Sequence, residues 1–466
     1  MPGHETSGAT RLGRLRSQLD RFLFPAAPGS SLSGLSRLEG TVVVTAVLTL
    51  VTLLALLRLG WSAPLNTVWA EDGPIYLQAA LTQDFFSAIF SPYAGYLVLV
   101  PRLIGEIGSW VPLEYAPAAI SIVSALVAAL SGLVVWHGAS GHVRNPYLRG
   151  ALALTTVLAA TAGQETLDSA AYAPWYMLVG SFWLLFWRPP KTAGACLGGA
   201  FLLLTGLSTP GVWFFLPIAF LRALVVRGRR DAILLGGYAI GALVQVPVVI
   251  GQKQGNSLWT SDIWTAFLQR VIDAGTFGQR LGGNLWEHFG WPFLIALSLA
   301  LLVGLAIGLW RSGRSAVWFT ALALPTGTLM FFVSVYQREV ATNIFWSAGT
   351  SGGTASRYVM VPALLLISTA VVLVDGAIRR RGQRAGGLSW PVVATVAVLA
   401  LAVVTSYDMR AADFRGAPYW DDELEAAAVK CLREPEGTAG ITTSPPPFGV
   451  QVPCPEVASF APAGRR

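Results

Sequence analysis

The sequence predicts an all-α, polytopic transmembrane bundle of about eleven spans, and three observations carry that expectation. Hydrophobic residues make up 54% of the 466 residues and charged ones 12%, with a mean hydropathy of +0.57. No single soluble core hides that much apolar surface, whereas lipid replaces the missing interior. The apolar residues fall in long continuous runs, not in the short alternations of a barrel strand. Basic residues also recur in every second connection.

The runs long enough to cross hydrocarbon as helices are 40–60, 115–137, 147–163, 172–187, 192–207, 210–227, 231–251, 289–310, 315–335, 357–376 and 389–407. Residues 1–39 precede them as a basic extension without an apolar stretch of signal-peptide form. Orientation follows from the short connections. Arg11, Arg14, Arg16, Arg21 and Arg37 lie before the first run, Arg144 and Arg149 after the second, and Arg188 and Lys191 after the fourth. The alternation continues with Arg222, Arg227, Arg229 and Arg230, then Arg311 and Arg314, then Arg379, Arg380, Arg381 and Arg384. These are more than half of the 32 basic residues, accompanied only by Glu5, Asp20, Glu39, Asp231 and Asp375. The rule therefore puts the N-terminus in the cytoplasm and the tail 408–466 outside. This distribution accounts for the +7 net charge without nucleic acid. Trp61, Trp110, Trp187, Trp291, Trp310 and Trp390 fall near run ends, as an aromatic belt requires. Arg far exceeds Lys, and Ala and Gly abound, a GC-rich signature that makes a bacterial plasma membrane the expected location.

Three outer segments are too long to be mere connections: 61–114, 252–288 and the tail, with 336–356 of medium length. Function is expected on that side. The tail carries Cys431 and Cys454, whose compartment favours a disulfide and a small stapled cap.

The first outer loop opens with Ala70-Glu71-Asp72-Gly73-Pro74. Asp72 has the position of an N-cap, with Pro74 in the first turn; that accounts for Asp72 and Gly-Pro but not for Glu71. Residues 75–90 have the spacing of an amphipathic helix on the membrane surface. Arg102 follows Pro101 and stands four residues before Glu106, a spacing that allows a pair. Arg102 suits either a snorkelling anchor or a phosphate ligand at headgroup depth.

A first helix, a long outer loop opening on an acidic pair, juxtamembrane helices and many later spans together resemble the GT-C superfamily of integral-membrane glycosyltransferases. Gly163 to Asp168 with Trp175-Tyr176, and Ser356-Arg357-Tyr358 through Pro362, extend the resemblance, which covers the chain to about residue 407. It implies a polyprenyl-phosphate sugar as donor, a glycan, glycolipid or glycoprotein as acceptor, membrane lipids around the protein, and inversion at the anomeric centre. Such a transfer needs a base for the acceptor hydroxyl and cations for the departing phosphate. Asp72 is the first choice of base and Glu71 the second. Arg357 and Arg102, then Lys253, Arg270 and Arg280, are the candidate phosphate ligands. Tyr96, Trp175, Tyr172 and Tyr358 are candidate substrate-facing aromatics, although such residues more often serve as belt or packing aromatics. Glu165 and Asp168, three apart, could meet an acceptor or a divalent cation, although two carboxylates do not define a metal site.

No P-loop, zinc-protease or nucleophile-elbow motif is present, and the four His and three Cys have no zinc spacing. The competing readings are a lipid or solute transporter or flippase, and an O-antigen-type polymerase or ligase. Transporters place charge at mid-depth; here the acids cluster outside the spans.

Overall fold

A computed structural model of the chain describes residues 6–27, 36–60, 62–161, 166–250, 262–337, 356–382, 387–407, 418–445 and 448–457. The longer helices, numbered in chain order, are α1 (Thr6–Leu23), α2 (Arg37–Leu56), α3 (Leu99–Ser109), α4 (Ala116–Gly138) and α5 (Pro146–Val157). They continue with α6 (Ala173–Phe186), α7 (Thr192–Gly206), α8 (Leu216–Val225), α9 (Arg229–Ile250) and α10 (Gln279–Arg311). The last are α11 (Arg314–Gln337), α12 (Arg357–Arg380), α13 (Trp390–Thr405) and α14 (Trp420–Cys431).

Six helical stretches are long and apolar enough to cross a membrane: Leu38–Leu59, Leu113–Gly141, Arg229–Ile250, Gln279–Arg311, Arg314–Tyr336 and Arg357–Arg380. Ala170–Phe186, Thr192–Gly206, Pro210–Val225 and Trp390–Thr405 are apolar but shorter. So is α5, whose 12 residues rise about 18 Å against a hydrocarbon core of roughly 30 Å. Every expected run is therefore helical over most of its length, but five of these helices are shorter than the six stretches long enough to span.

α12 runs through the centre of the bundle, with most of its apolar stretch buried, whereas the apolar stretch of α10 lies on the periphery and turns its leucines outward. α10 is broken at Gly290, whose φ of 59° and ψ of −142° belong to a region open to glycine, with Pro292 just beyond. The expected span 289–310 is the second half of this helix. The first half, with the short helices Asp262–Ala266, Phe267–Asp273 and Ala274–Phe277, gives the described part of the 252–288 loop a helical structure of its own.

The segments with excess arginine gather at one end of the bundle. The Asn145 amide donates to Asp375 Oδ1 at 2.8 Å, Arg379 pairs with Asp375 at 2.8 Å and also donates to the His142 carbonyl at 3.0 Å. Arg222 pairs with Asp231 at 2.5 Å, and Arg188 pairs with Asp20. The long loops meet at the opposite end, where the Leu99 amide donates to Leu207 at 3.1 Å and the Gln279 amide to Ala160 at 3.2 Å.

Three local expectations need correction. The N-terminal extension is not a bare basic arm: α1 places Leu19, Phe22 and Leu23 at helical spacing against the basic end. Leu23 and Phe24 are fully buried, and Ser315 Oγ donates to the Phe22 carbonyl at 2.7 Å. The surface helix expected over 75–90 is three short pieces, Gly73–Leu77, Gln78–Thr82 and Phe85–Phe90, the last capped by Asp84 through the Ser87 amide at 3.1 Å. Its exposed apolar face survives in Phe85, Phe86 and Phe90. The tail departs from an all-α chain: β1 (Thr438–Thr442) and β2 (Gly449–Pro453) form an antiparallel pair that buries Ala439, Ile441, Val450 and Val452 at period two.

The expected disulfide joins Cys431 to Cys454, with the Cα atoms 5.2 Å apart, and ties α14 to the strand pair. This cap docks on the first loop. The fully buried Trp420 ring donates to the Leu113 carbonyl at 2.9 Å, and the Trp420 amide donates to Asn66 at 2.9 Å.

Candidate functional site

Tail and first loop meet just before the acid pair. Ser444 brackets Trp69, its amide donating to Val68 at 3.0 Å and its carbonyl accepting from Ala70 at 2.5 Å. Ala70 has a φ of 40°, a conformation an L-residue adopts at a cost that the bracketing bonds offset. Ala70–Asp72 is one 3-10 turn, in which neighbouring side chains diverge by about 120°. The two carboxylates consequently face different surroundings.

Asp72 points inward. It is 1% exposed, and its carboxylate accepts from Ser169 Oγ at 3.1 Å and from the Ala170 and Ala171 amides at 3.0 Å each. It does not cap its own helix: its φ and ψ are already helical and its side chain makes no capping bond there. It caps instead the short Ala170–Tyr172 turn of the next loop. Burial pushes this carboxyl up to about 7, against the pull of the three donors.

Glu71 points into a cavity of about 560 Å³ at the loop-rich end, lined also by Tyr96, Tyr172, Trp175, Arg357 and Tyr358. Arg357, at the start of α12, donates to the Tyr172 hydroxyl at 2.8 Å; that hydroxyl donates in turn to Glu71 Oε2 at a long 3.5 Å. The same guanidinium sits 5.3 Å from the centre of the Tyr172 ring and 5.0 Å from that of Tyr358, and Trp175 meets Tyr358 edge to face at 5.5 Å. A carboxylate, a phenol and a guanidinium thus form one polar line through an aromatic chamber.

The walls are held by local geometry. Ala94 (φ 51°) and Gly95 (φ 89°) make a tight turn closed by paired bonds between Tyr93 and Tyr96 at 2.9 and 3.1 Å, which brings both phenols to the cavity. The buried Gln245 of α9 clamps the following Leu97 through two bonds of 3.0 Å. α3 approaches closely because Gly105 has no Cβ; one would stand 2.8 Å from the Tyr76 backbone. Trp213 and Phe214 complete the chamber. They fall inside an apolar run, which disguised them in the sequence; the preceding Thr209-Pro210-Gly211 was the available sign of a turn at that depth.

Several sequence candidates lie elsewhere. Arg102 is 5% exposed and donates to the Ile75 carbonyl behind the Tyr76 ring, whose centre is 5.5 Å away. It does not line the chamber, and among the described residues it makes no ion pair with Glu106. Pro101 and the helical start at Leu99 turn it toward the protein interior. Arg270 is fully buried and donates to Ser356 Oγ at 3.0 Å, one residue before Arg357, so its place is beneath the site. Arg280 is exposed away from the chamber. Asp168 faces the interior beside Arg58 and shares with Asp72 a void of about 10 Å³, and burial pushes it up to about 7 despite that arginine. Lys253 and Glu165 lie outside the described residues. Among the described residues no group of three His, Cys, Asp or Glu side chains converges.

Tyr96, Trp175 and Tyr358 are therefore brought together with Glu71 and Arg357, while Asp72, Asp168, Arg102 and Arg270 support the walls from behind. No family model, curated protein or solved structure matches this chain.

Proposed function

We propose that the chain is a GT-C-type membrane glycosyltransferase that moves a sugar from a polyprenyl-phosphate donor to an extracytoplasmic cell-envelope acceptor, with the N-terminus cytoplasmic and the loop-rich end outside. The observation that carries this reading is the Glu71–Tyr172–Arg357 line in an aromatic cavity at that end. Glu71 is the base here, in place of Asp72, because its carboxylate reaches the cavity while Asp72 is sealed against the Ala170 and Ala171 amides.

In this mechanism an acceptor hydroxyl gives its proton to Glu71 as its oxygen attacks the anomeric carbon. The bond from that carbon to the phosphate oxygen breaks, and Arg357 meets the charge on the departing lipid phosphate. Tyr172 holds the base and the cation in register, and Tyr96, Trp175 and Tyr358 offer ring faces to the sugar. Outside the cytoplasm a donor must arrive already activated, which suits a lipid-borne sugar phosphate. A transport reading finds its charged groups at mid-depth in the spans, whereas this line lies at the loop-rich end.

The test is complementation of a deletion strain with full-length Glu71→Gln. Expression and membrane insertion should match the wild type while a surface glycan or glycolipid is lost. Unchanged glycan output from a well-expressed Glu71→Gln protein would sink the assignment.

A further inference from the structure

A cavity of about 860 Å³ lies at the opposite, arginine-rich end, between α1, the start of α5 and the connections after α6 and α8. Arg16, Arg149, Arg188, Arg227 and Arg230 line it, against the carboxylates of Asp20 and Asp231. Both carboxylates are engaged: Asp20 by Arg188, and Asp231 by the buried Arg222 at 2.5 Å. Arg16, Arg149, Arg227 and Arg230 face the cavity with no ion pair among the described residues. Arg16 spends its Nε on the Val225 carbonyl at 2.9 Å, and Arg230 donates to Pro190 at 2.6 Å.

Arg149 is the telling residue. It is 6% exposed, its guanidinium lies 4.2 Å from the centre of the Trp136 ring, and its Nε has no hydrogen-bond partner. A buried guanidinium without an acceptor is costly unless a ligand supplies one. Trp136 and His137 also line a second opening, a groove of about 330 Å³ walled by apolar side chains of α2, α4 and α5, among them Val47, Val51, Leu133 and Leu154. A polar chamber rich in arginine thus adjoins an apolar groove that runs along the membrane-spanning helices.

We propose that this cavity and groove together bind an anionic phospholipid of the leaflet on that side. The phosphate sits against Arg149, with Arg16 and Arg227 around it, and one acyl chain passes Trp136 into the groove. Basic pockets between spanning helices select anionic headgroups by charge, and guanidinium groups match phosphate oxygens geometrically. The apolar continuation favours a lipid over a free phosphate. The α1 helix roofs the chamber through Arg16, so a bound lipid would tie this helix to the bundle.

Native mass spectrometry of the full-length protein, with dioleoylphosphatidylglycerol, dioleoylphosphatidylcholine and inorganic phosphate as probes, tests the site. Phosphatidylglycerol should be retained where phosphatidylcholine is not, and excess inorganic phosphate should not displace it. Arg149→Gln should weaken retention about fivefold. Arg227→Gln should do likewise; its side chain is exposed and its loss leaves the fold unaltered. Leu154→Trp, which plugs the groove, should weaken retention with every arginine in place. Equal retention by wild type and Arg227→Gln, equal binding of the two lipids, or displacement by inorganic phosphate would each overturn the proposal.

Discussion

The Asp72 carboxylate accepts the Ala170 amide at 3.0 Å, a bond across 98 positions that fastens the first loop to the second. It holds Tyr172, two residues further on, where the hydroxyl meets both Glu71 and Arg357. One acid of the pair therefore builds the wall from which the other works.

Asp72→Asn should be a structural lesion. The amide retains one acceptor oxygen and presents an NH₂ to backbone donors, a mismatch worth about 1–3 kcal/mol at a buried site. Lower thermal stability in detergent, with output falling in proportion to folded protein, is the expected result. A fully stable Asp72→Asn protein without activity would return the role of base to Asp72.

Asp72 and Asp168 are both raised by burial from 3.8 to about 7. A folded-state value above the unfolded one means that the native protein binds the proton more tightly. The stability this contributes is complete below pH 3.8 and is lost as pH rises through about 7. Wild type should show protonated-carboxyl infrared absorbance that titrates near neutrality, and each Asn variant should remove part of it. Absorbance that has vanished by pH 5 would contradict this.

Tyr172→Phe removes the bridge and leaves the ring. Transfer should slow by the worth of a hydrogen bond to a charged group, about 1.5–3 kcal/mol of barrier. Combined with Arg357→Lys, which keeps the charge and loses the planar fork, the loss should be less than additive, because both act on one line of contacts. Initial rates of the four proteins would measure the coupling; strict additivity would dissociate the two residues.

The cap has two separable attachments. Trp420→Ala should cost about 3–5 kcal/mol of docking through lost burial and the lost bond to Leu113. Cys431→Ser should cost the cap about 3 kcal/mol by freeing its closed loop. Limited proteolysis should release the tail region in each variant. Without reductant, alkylation should label the exposed Cys196 alone, and after reduction all three cysteines.

Local chemistry made much of this protein legible. Long apolar runs such as 115–137 and 357–376 become helices because the pattern lies within each segment. Arg188, Arg227 and Arg379 gather at one end because the helices between them carry the chain away and back. The Cys431–Cys454 pair was legible because the two cysteines share one tail. The helix under Leu19, Phe22 and Leu23 was less visible, since its apolar stripe is short and set among arginines.

Composition and patterning along the chain specify a helical membrane bundle with an acidic pair, aromatics and few cations in its long loops. Packing between distant segments is what turns Glu71 into the chamber while Asp72 is sealed by Ala170 and Ala171, and what admits Arg357 while Arg102 is buried behind Tyr76. Adjacent residues share composition and hydropathy, so nothing along the chain distinguishes them. The direction of each side chain is set by one turn of backbone and by the partners that distant segments bring to it.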